Sequence, residues 1–259
     1  MSDEAVLFER KGGVGIVTLN RPKRLNSMST ELVDRCILHL HNAEHDPEVR
    51  CVVLTGAGRA FCAGGDLGSL DGLTTTEERR QFIIKASTIT KLIYSMSKPV
   101  IAMVNGVAAG AGFNLALASD LAYAAEGVKF IQSFVNIGLA PDCGGYYFLA
   151  KTVGLAKAKE IMFTARPVDA QEALTLGIVN GVFPAEELTD KVMAVAEKIA
   201  AGAPLALAMA KKEINNYGAS LDDTLTYEAM AMSALLGTED FKEGIAAFRE
   251  KRAPKFQGK

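Results

Sequence analysis

The 259-residue chain has no tryptophan, three histidines and four cysteines. Each shortage removes a class of chemistry. Cys36, Cys51, Cys62 and Cys143 form no CxxC pair and no metal-ligand spacing, so free thiols in a reducing compartment are expected rather than disulfides. His39, His41 and His45 all fall on one expected helix. A histidine triad or metal centre would have to be built from that helix alone, so structural roles and no metal site are expected. An excess of one charge is lacking too. The 28 Lys and Arg against 30 Asp and Glu leave −2, which gives neither a nucleic acid nor a membrane surface a field to bind. No apolar run approaches the ~20 residues of a bilayer span. Met1-Ser2-Asp3-Glu4 carries no basic segment or apolar signal core, and a cytoplasmic protein is expected. What remains is ordinary globular composition, 49% hydrophobic and 22% charged, with length for one large domain or two small ones.

Glycine is not scarce, and its placement is the first positive signal. From Lys98 to Asp120 a buried strand runs into a turn with Gly106, Gly110 and Gly112, then into an Ala/Leu-rich helix. Small residues let a ligand approach the backbone, and a helix start leaves N–H groups unpaired. Two readings stay open: a pocket whose N–H groups hold an anion or developing oxyanion, and a tight crossover in an α/β core. A second small-residue loop, Gly56 to Gly68, favours the pocket. Its strand-then-GxG opening resembles a dinucleotide fingerprint, but Phe61 stands at the third glycine position and no suitable helix follows, so no nicotinamide cofactor is expected.

In chain order, residues 5–10 and 14–20 flank Lys11-Gly12-Gly13 as a β-hairpin. Residues 20–26 form a Pro-broken loop whose basic side chains either meet phosphates or are solvated. Ser29 or Thr30 caps a helix to about Glu44, and Cys51 to Thr55 is a strand. Glu77 to Met96 reads as a helix, Leu121 to Ala125 and Lys129 to Ile131 as strands, and Asn136 to Cys143 as a loop. Helical patterns near 144–152, 155–163 and 169–176 precede a strand at Ile178 to Phe183. Others follow near 185–201, 204–217, 220–236 and 238–250, punctuated by Gly202-Ala203-Pro204 and Tyr217-Gly218-Ala219-Ser220. No internal repeat shows a fixed period. Core packing is expected for Met209, Met230 and Met232. The order is that of an α/β core with a helical appendage.

Several segments together resemble the crotonase superfamily of enoyl-CoA hydratases and isomerases. They are Asn20-Arg21-Pro22 with Leu25-Asn26, Leu54-Thr55-Gly56 with Ala60 to Leu67, and Lys98-Pro99-Val100 with Asn105 to Gly112. Ser119-Asp120, Gly138 to Gly145, and Phe248 with Lys251-Arg252 follow in the same order. The resemblance implies an α/β fold, a crotonase-like spiral of ββα turns over residues 1–200. It implies a helical C-terminal oligomerisation region over 201–259 and a homotrimer or a hexamer of paired trimers. It implies that the backbone N–H groups of Gly65 and Ala111 bind the thioester oxygen of an acyl-CoA. Arg24 and Leu25 would lie beside the pantetheine and phosphates, Ala63, Asp66 and Leu67 around the adenine end, and Lys255 and Lys259 could supply charge from the tail, to a neighbouring subunit. Coenzyme A would be part of the substrate, with no separate cofactor.

The departures from the family pattern bear on the reaction. Hydratases of the family use two glutamates, and the matching positions here are Asn114 and Phe134. An amide and a phenyl ring cannot move protons. Asp142, after Pro141, is the carboxylate available in the loop expected to face the acyl group, where Phe134, Leu139 and Ala140 would desolvate it. It serves either as the acid/base or as the cap of the helix that begins near Gly144. The Pro-Asp-x-Gly-Gly loop and the tail Lys255 to Lys259 look most like bacterial 1,2-epoxyphenylacetyl-CoA isomerases and 3-enoyl-CoA isomerases. Aryl-CoA dehalogenases add a histidine from the helix before Lys98 and a tryptophan; residues 77–97 hold no histidine here, and the chain has no tryptophan. The expectation is an acyl-CoA double-bond isomerase with Asp142 as the one acid/base. The alternatives are a hydratase helped by Glu77 or Glu78, and a catalytically silent acyl-CoA-binding subunit. Phe113, Asn114, Phe134, Tyr146 and Tyr147 are expected around the acyl group, with Asp66 and Asp120 in structural roles.

Overall fold

The computed structural model describes residues 4–216 and 220–259. The expected hairpin forms: β1 (Val6–Lys11) pairs antiparallel with β2 (Val14–Leu19). Helix α1 (Thr30–His45) starts where the Ser29 hydroxyl accepts the Leu32 N–H, and it buries Leu32, Val33, Cys36 and Leu40 on one stripe.

Three turns of one kind follow. In the first, β3 (Cys51–Gly56) leads to β4 (Ala60–Cys62), the short α2 (Leu67–Asp71) and α3 (Thr76–Ser95). In the second, β5 (Val100–Val104) leads to β6 (Val107–Ala109) and α4 (Ala111–Ala118). The third begins with β7 (Leu121–Ala125) and β8 (Lys129–Ile131). The first strand of each turn joins one sheet, ordered β1-β2-β3-β5-β7 and closed by β10 (Gly181–Phe183). The second joins another, β4-β6-β8, closed by β9 (Val168–Asp169). The result is the expected spiral of ββα turns. β3 and β5 are buried at every position, as parallel strands covered on both faces must be. The turns begin at residues 51, 100 and 121, so unequal connections hide the repeat from any search at fixed period. β6 lies where the sequence reads as turn passing directly into helix. Three residues are too few to display an alternating pattern.

The remaining helices are α5 (Gly145–Val153), α6 (Leu155–Thr164), α7 (Ala170–Thr175), α8 (Leu188–Ala200), α9 (Pro204–Asn215), α10 (Leu221–Leu235) and α11 (Glu239–Glu250). The expected break at 217–219 lies outside the described residues. Core packing does not hold for Met230 and Met232, which are 65% and 56% exposed. Helix α10 buries no residue at all, because an apolar helical face is covered only where another element lies on it. All four cysteines are free and buried, and burial pushes the thiols of Cys36, Cys51 and Cys62 up to about 12. His41 and His45 stand one helical turn apart. Their rings stack at 4.3 Å, and the His45 ring nitrogen bonds the His41 carbonyl. Among the described residues no cluster of three or more metal-capable side chains forms, and no single helix is long and apolar enough to cross a membrane.

Helix α9 is locked to the spiral by buried Lys211. Its ammonium pairs with Asp120 at 2.7 Å and donates to the carbonyls of Ile93 and Lys98. Asp120 also accepts the Val100 N–H at 2.7 Å, the structural role expected of it. Lys211→Met would leave two carbonyls without their donor and the buried Asp120 carboxylate without its cation. It is expected to lower stability by about 3 kcal/mol, read as a shift in denaturant midpoint at unchanged slope.

Candidate active site

The site is built where two small-residue loops touch. Gly64 has φ +96°, and a Cβ on it would stand 3.0 Å from the Ala109 carbonyl oxygen and 3.6 Å from the Ala111 nitrogen. Gly110 has φ +52° and ψ −124°, a conformation open to glycine alone, and its Cβ would meet the Gly64 Cα at 3.7 Å. The first loop is held by a bridge to the segment before α1: Met28 N–H donates to Gly64 O at 2.8 Å, and Asp66 N–H to Met28 O at 3.2 Å. Gly65 lies between these bonds, exposed, and its N–H meets no acceptor among the described residues. Ala111 opens α4, so its N–H has no intrahelical acceptor either. Two free donors therefore stand on adjoining loops, the requirement for holding one oxyanion.

Asp66 fixes the first loop. Its carboxylate takes the Arg21 guanidinium at 2.8 Å and the Ser27 hydroxyl at 2.9 Å, and caps α2 through the Ser69 N–H. The Arg21 bond, ahead of Ser27 and Ser69, holds its carboxyl down at about 2. A carboxyl lowered on folding stabilises the folded state above its unfolded value and loses that contribution as pH falls through the folded one. Asp66→Asn is thus expected to cost about 2 kcal/mol at neutral pH and progressively less as pH falls toward about 2, read by denaturant unfolding at both ends of that range.

The loops floor a cavity of about 990 Å³. Lys23, Arg24, Arg59 and Arg79 bring positive charge to its lining, while Leu70, Phe82, Ile83, Phe134 and Leu139 bring apolar surface. Asp66 and Asp142 are the carboxylates among the lining residues, and Asp66 is committed to Arg21.

Asp142 is not the cap of α5. Gly144 occupies the cap position with no side-chain bond, and the Gly145 N–H goes to the Asp142 backbone carbonyl at 2.9 Å. The Asp142 Oδ1 is buried with no hydrogen-bond partner. Burial raises the Asp142 carboxyl above its ordinary value, opposed by a bond from the Cys143 thiol. The backbone is pinned by other residues: Asn114 Nδ2 donates to Asp142 O at 2.8 Å, and Thr90 Oγ1 to Cys143 O at 3.2 Å. A desolvated carboxylate with one oxygen unengaged can take a proton and return it.

Arg24, Leu25, Ala63, Gly65, Asp66, Leu67, Phe134 and Asp142 all reach the cavity, and Ala111 adjoins it through Gly110. Other expected residues do not. Phe113 is fully buried against Phe130, at 5.2 Å between ring centroids. Asn114 is fully buried and spends its amide on Asp142 and Gln132. Helix α4 is apolar and covered on nearly every side, so its sequence carries no sign of which face meets a ligand. Tyr146 and Tyr147 are exposed and outside the lining. Lys255 and Lys259 line a different cleft beside α11, where Asp240 accepts the N–H groups of Gln257 and Gly258 and folds the tail back. Glu78 closes a capping box with Thr75, and Glu77 bonds Gln81, so neither enters the cavity. The sequence reading missed Arg59, Arg79 and the adjacent apolar pair Phe82 and Ile83.

A family model described as enoyl-CoA hydratase/isomerase matches residues 9–259. A short-chain-enoyl-CoA hydratase of Clostridium acetobutylicum is 37% identical over 249 residues, 95% of each chain. A 1,2-epoxyphenylacetyl-CoA isomerase of Escherichia coli is 36% identical over 265 residues, 99% of each. The crystal structure of an enoyl-CoA hydratase from Bacillus anthracis superposes with TM-score 0.95 at 34% identity, covering 98% of this chain and 100% of that one.

Proposed function

This chain belongs to the enoyl-CoA hydratase/isomerase family of the crotonase superfamily, and from that premise we propose that it is an acyl-CoA double-bond isomerase with Asp142 as its acid/base. The observation that carries the reading is the carboxylate inventory of the cavity: Asp66 is tied to Arg21, and Asp142 alone keeps a free buried oxygen.

The ionised Asp142 takes a proton from C2 of a 3-enoyl thioester. The C–H electrons move into the carbonyl, giving a dienolate whose oxygen receives the N–H groups of Gly65 and Ala111. Those donors bind the charged oxygen more tightly than the ground-state carbonyl, which is what accelerates the step. The protonated Asp142 returns the proton at C4, and the double bond now joins C2 and C3. No water is consumed, so the second proton carrier of a hydratase is not needed. Arg24, with Lys23 and Arg59, suits the phosphates of coenzyme A, and Leu25, Ala63, Asp66 and Leu67 line its path. The thioester carries coenzyme A as part of the substrate, with no separate cofactor. Residues 201–259 serve association of residues 1–200 into a trimer or hexamer, a role suited to the exposed apolar face of α10. Free thiols suit a cytoplasmic enzyme.

Hydration is the second reading, favoured by the names of several relatives. Parallel turnover of a 3-enoyl-CoA and the matching 2-enoyl-CoA separates the two. A product of unchanged mass from the 3-enoyl ester is expected. Gain of one water by the 2-enoyl ester as the main reaction would replace the isomerase reading, and binding without turnover of either would leave a silent subunit.

A further inference from the structure

We propose that Asn114 is a positioning residue for this reaction, acting through the backbone of Asp142, with Thr90 holding the next carbonyl. The inference rests on the reading of Asp142 as the acid/base. Asn114 is fully buried and absent from the cavity lining, so it touches no substrate. Its amide is the middle link of a chain: Gln132 Nε2 donates to Asn114 Oδ1 at 2.7 Å, and Asn114 Nδ2 donates to Asp142 O at 2.8 Å. Gln132 is itself buried, and its Oε1 has no partner among the described residues. Apolar side chains would fill this interior without leaving a desolvated oxygen unpaired, so packing does not account for the amides. The output of the chain is the Asp142 carbonyl.

That carbonyl needs holding because the turn after it is strained. Cys143 has φ +47° and Gly144 φ +79°, successive left-handed residues of which the first is not glycine. Asp142 O takes the Asn114 amide and the Gly145 N–H, while Cys143 O takes Thr90 Oγ1. A Cβ on Gly145 would stand 2.6 Å from Asn114 Nδ2, so the amide packs directly on the turn, in space that glycine leaves open. The Asp142 carboxyl takes a bond from the Cys143 thiol, Oδ1 makes none, and the held backbone fixes where both residues of the turn sit. A displacement of about 1 Å in such a group is enough to lower a rate about 10²-fold.

The test is a double-mutant cycle on the full chain with 3-enoyl-CoA: Asn114→Leu, Asp142→Asn, and both together. Asn114→Leu is expected to lower kcat about 10- to 100-fold while KM moves less than about threefold. In the Asp142→Asn background it is expected to cost no further activity, because the residue it acts through is gone. Wild-type kcat in Asn114→Leu, or losses that multiply in the double variant, would overturn the inference. Full turnover in Asp142→Asn would instead overturn the reading of Asp142 itself. Should Asn114→Leu fail to fold, Thr90→Val and Thr90→Ser decide. A fall in kcat with valine that serine restores supports the role, and equal kcat in the two overturns it.

Discussion

Asp142→Asn is expected to lower kcat for 3-enoyl-CoA isomerisation by about 10²–10⁴-fold, with the folded protein as stable as wild type or more so. The two halves of this expectation have one cause. The carboxylate is desolvated, and its Oδ1 is left without a partner. That state is unfavourable for the fold and useful for proton transfer. A carboxyl whose folded value is raised opposes folding at every pH where it is ionised, and a neutral amide removes that opposition. The base must be ionised to act, so the acid limb of kcat/KM in the wild-type enzyme should lie above the ordinary carboxylate range, activity falling as pH drops through the raised value. Kinetics and thermal unfolding on one preparation check both halves. Loss of activity with a matching loss of stability would mark Asp142 as a structural residue.

Gly65→Pro is expected to lower kcat by about 10²–10³-fold, because proline removes one donor from the oxyanion pair outright. Gly65→Ala is the control. It keeps the N–H, the position is outside the left-handed region, and the new Cβ meets only the mobile end of Leu70 at 3.3 Å. Its loss should stay under about tenfold, within what a small shift of the loop explains. KM should change little in either variant, because the oxyanion bonds strengthen on the way to the enolate rather than on binding. Equal kcat in the two variants would remove Gly65 from the oxyanion pair.

Much of this molecule is written locally. The hairpin around Gly12-Gly13, the stripe of α1 and the caps at Ser29, Thr75 and Ser220 follow from neighbouring residues, since the bonds that make them span a few positions of chain. The two glycine loops were legible for the same reason, because small residues at a strand end announce close backbone approach. The same local logic misled at Met230 and Met232. Their spacing reads as a core face, but whether a face is covered is a property of the assembly and not of the helix.

The sequence by itself determined the α/β class, the two small-residue loops and the presence of a carboxylate, Asp142, after Pro141. Only the tertiary structure decided what each side chain does there. Phe113 and Asn114 lie in a helix apolar on nearly all sides, whose pattern carries no direction, and packing turned both away from the cavity. On pattern alone the sequence favours Asp142 as a helix cap, and the family resemblance favours it as a base. The structure removes the cap: Asn114 and the Gly145 N–H take the Asp142 carbonyl, which closes the turn through the backbone and leaves Oδ1 without a hydrogen bond. Direction of this kind comes from contacts between residues distant in the chain, Thr90, Asn114 and Gln132 with the turn after Pro141, and no local pattern encodes it.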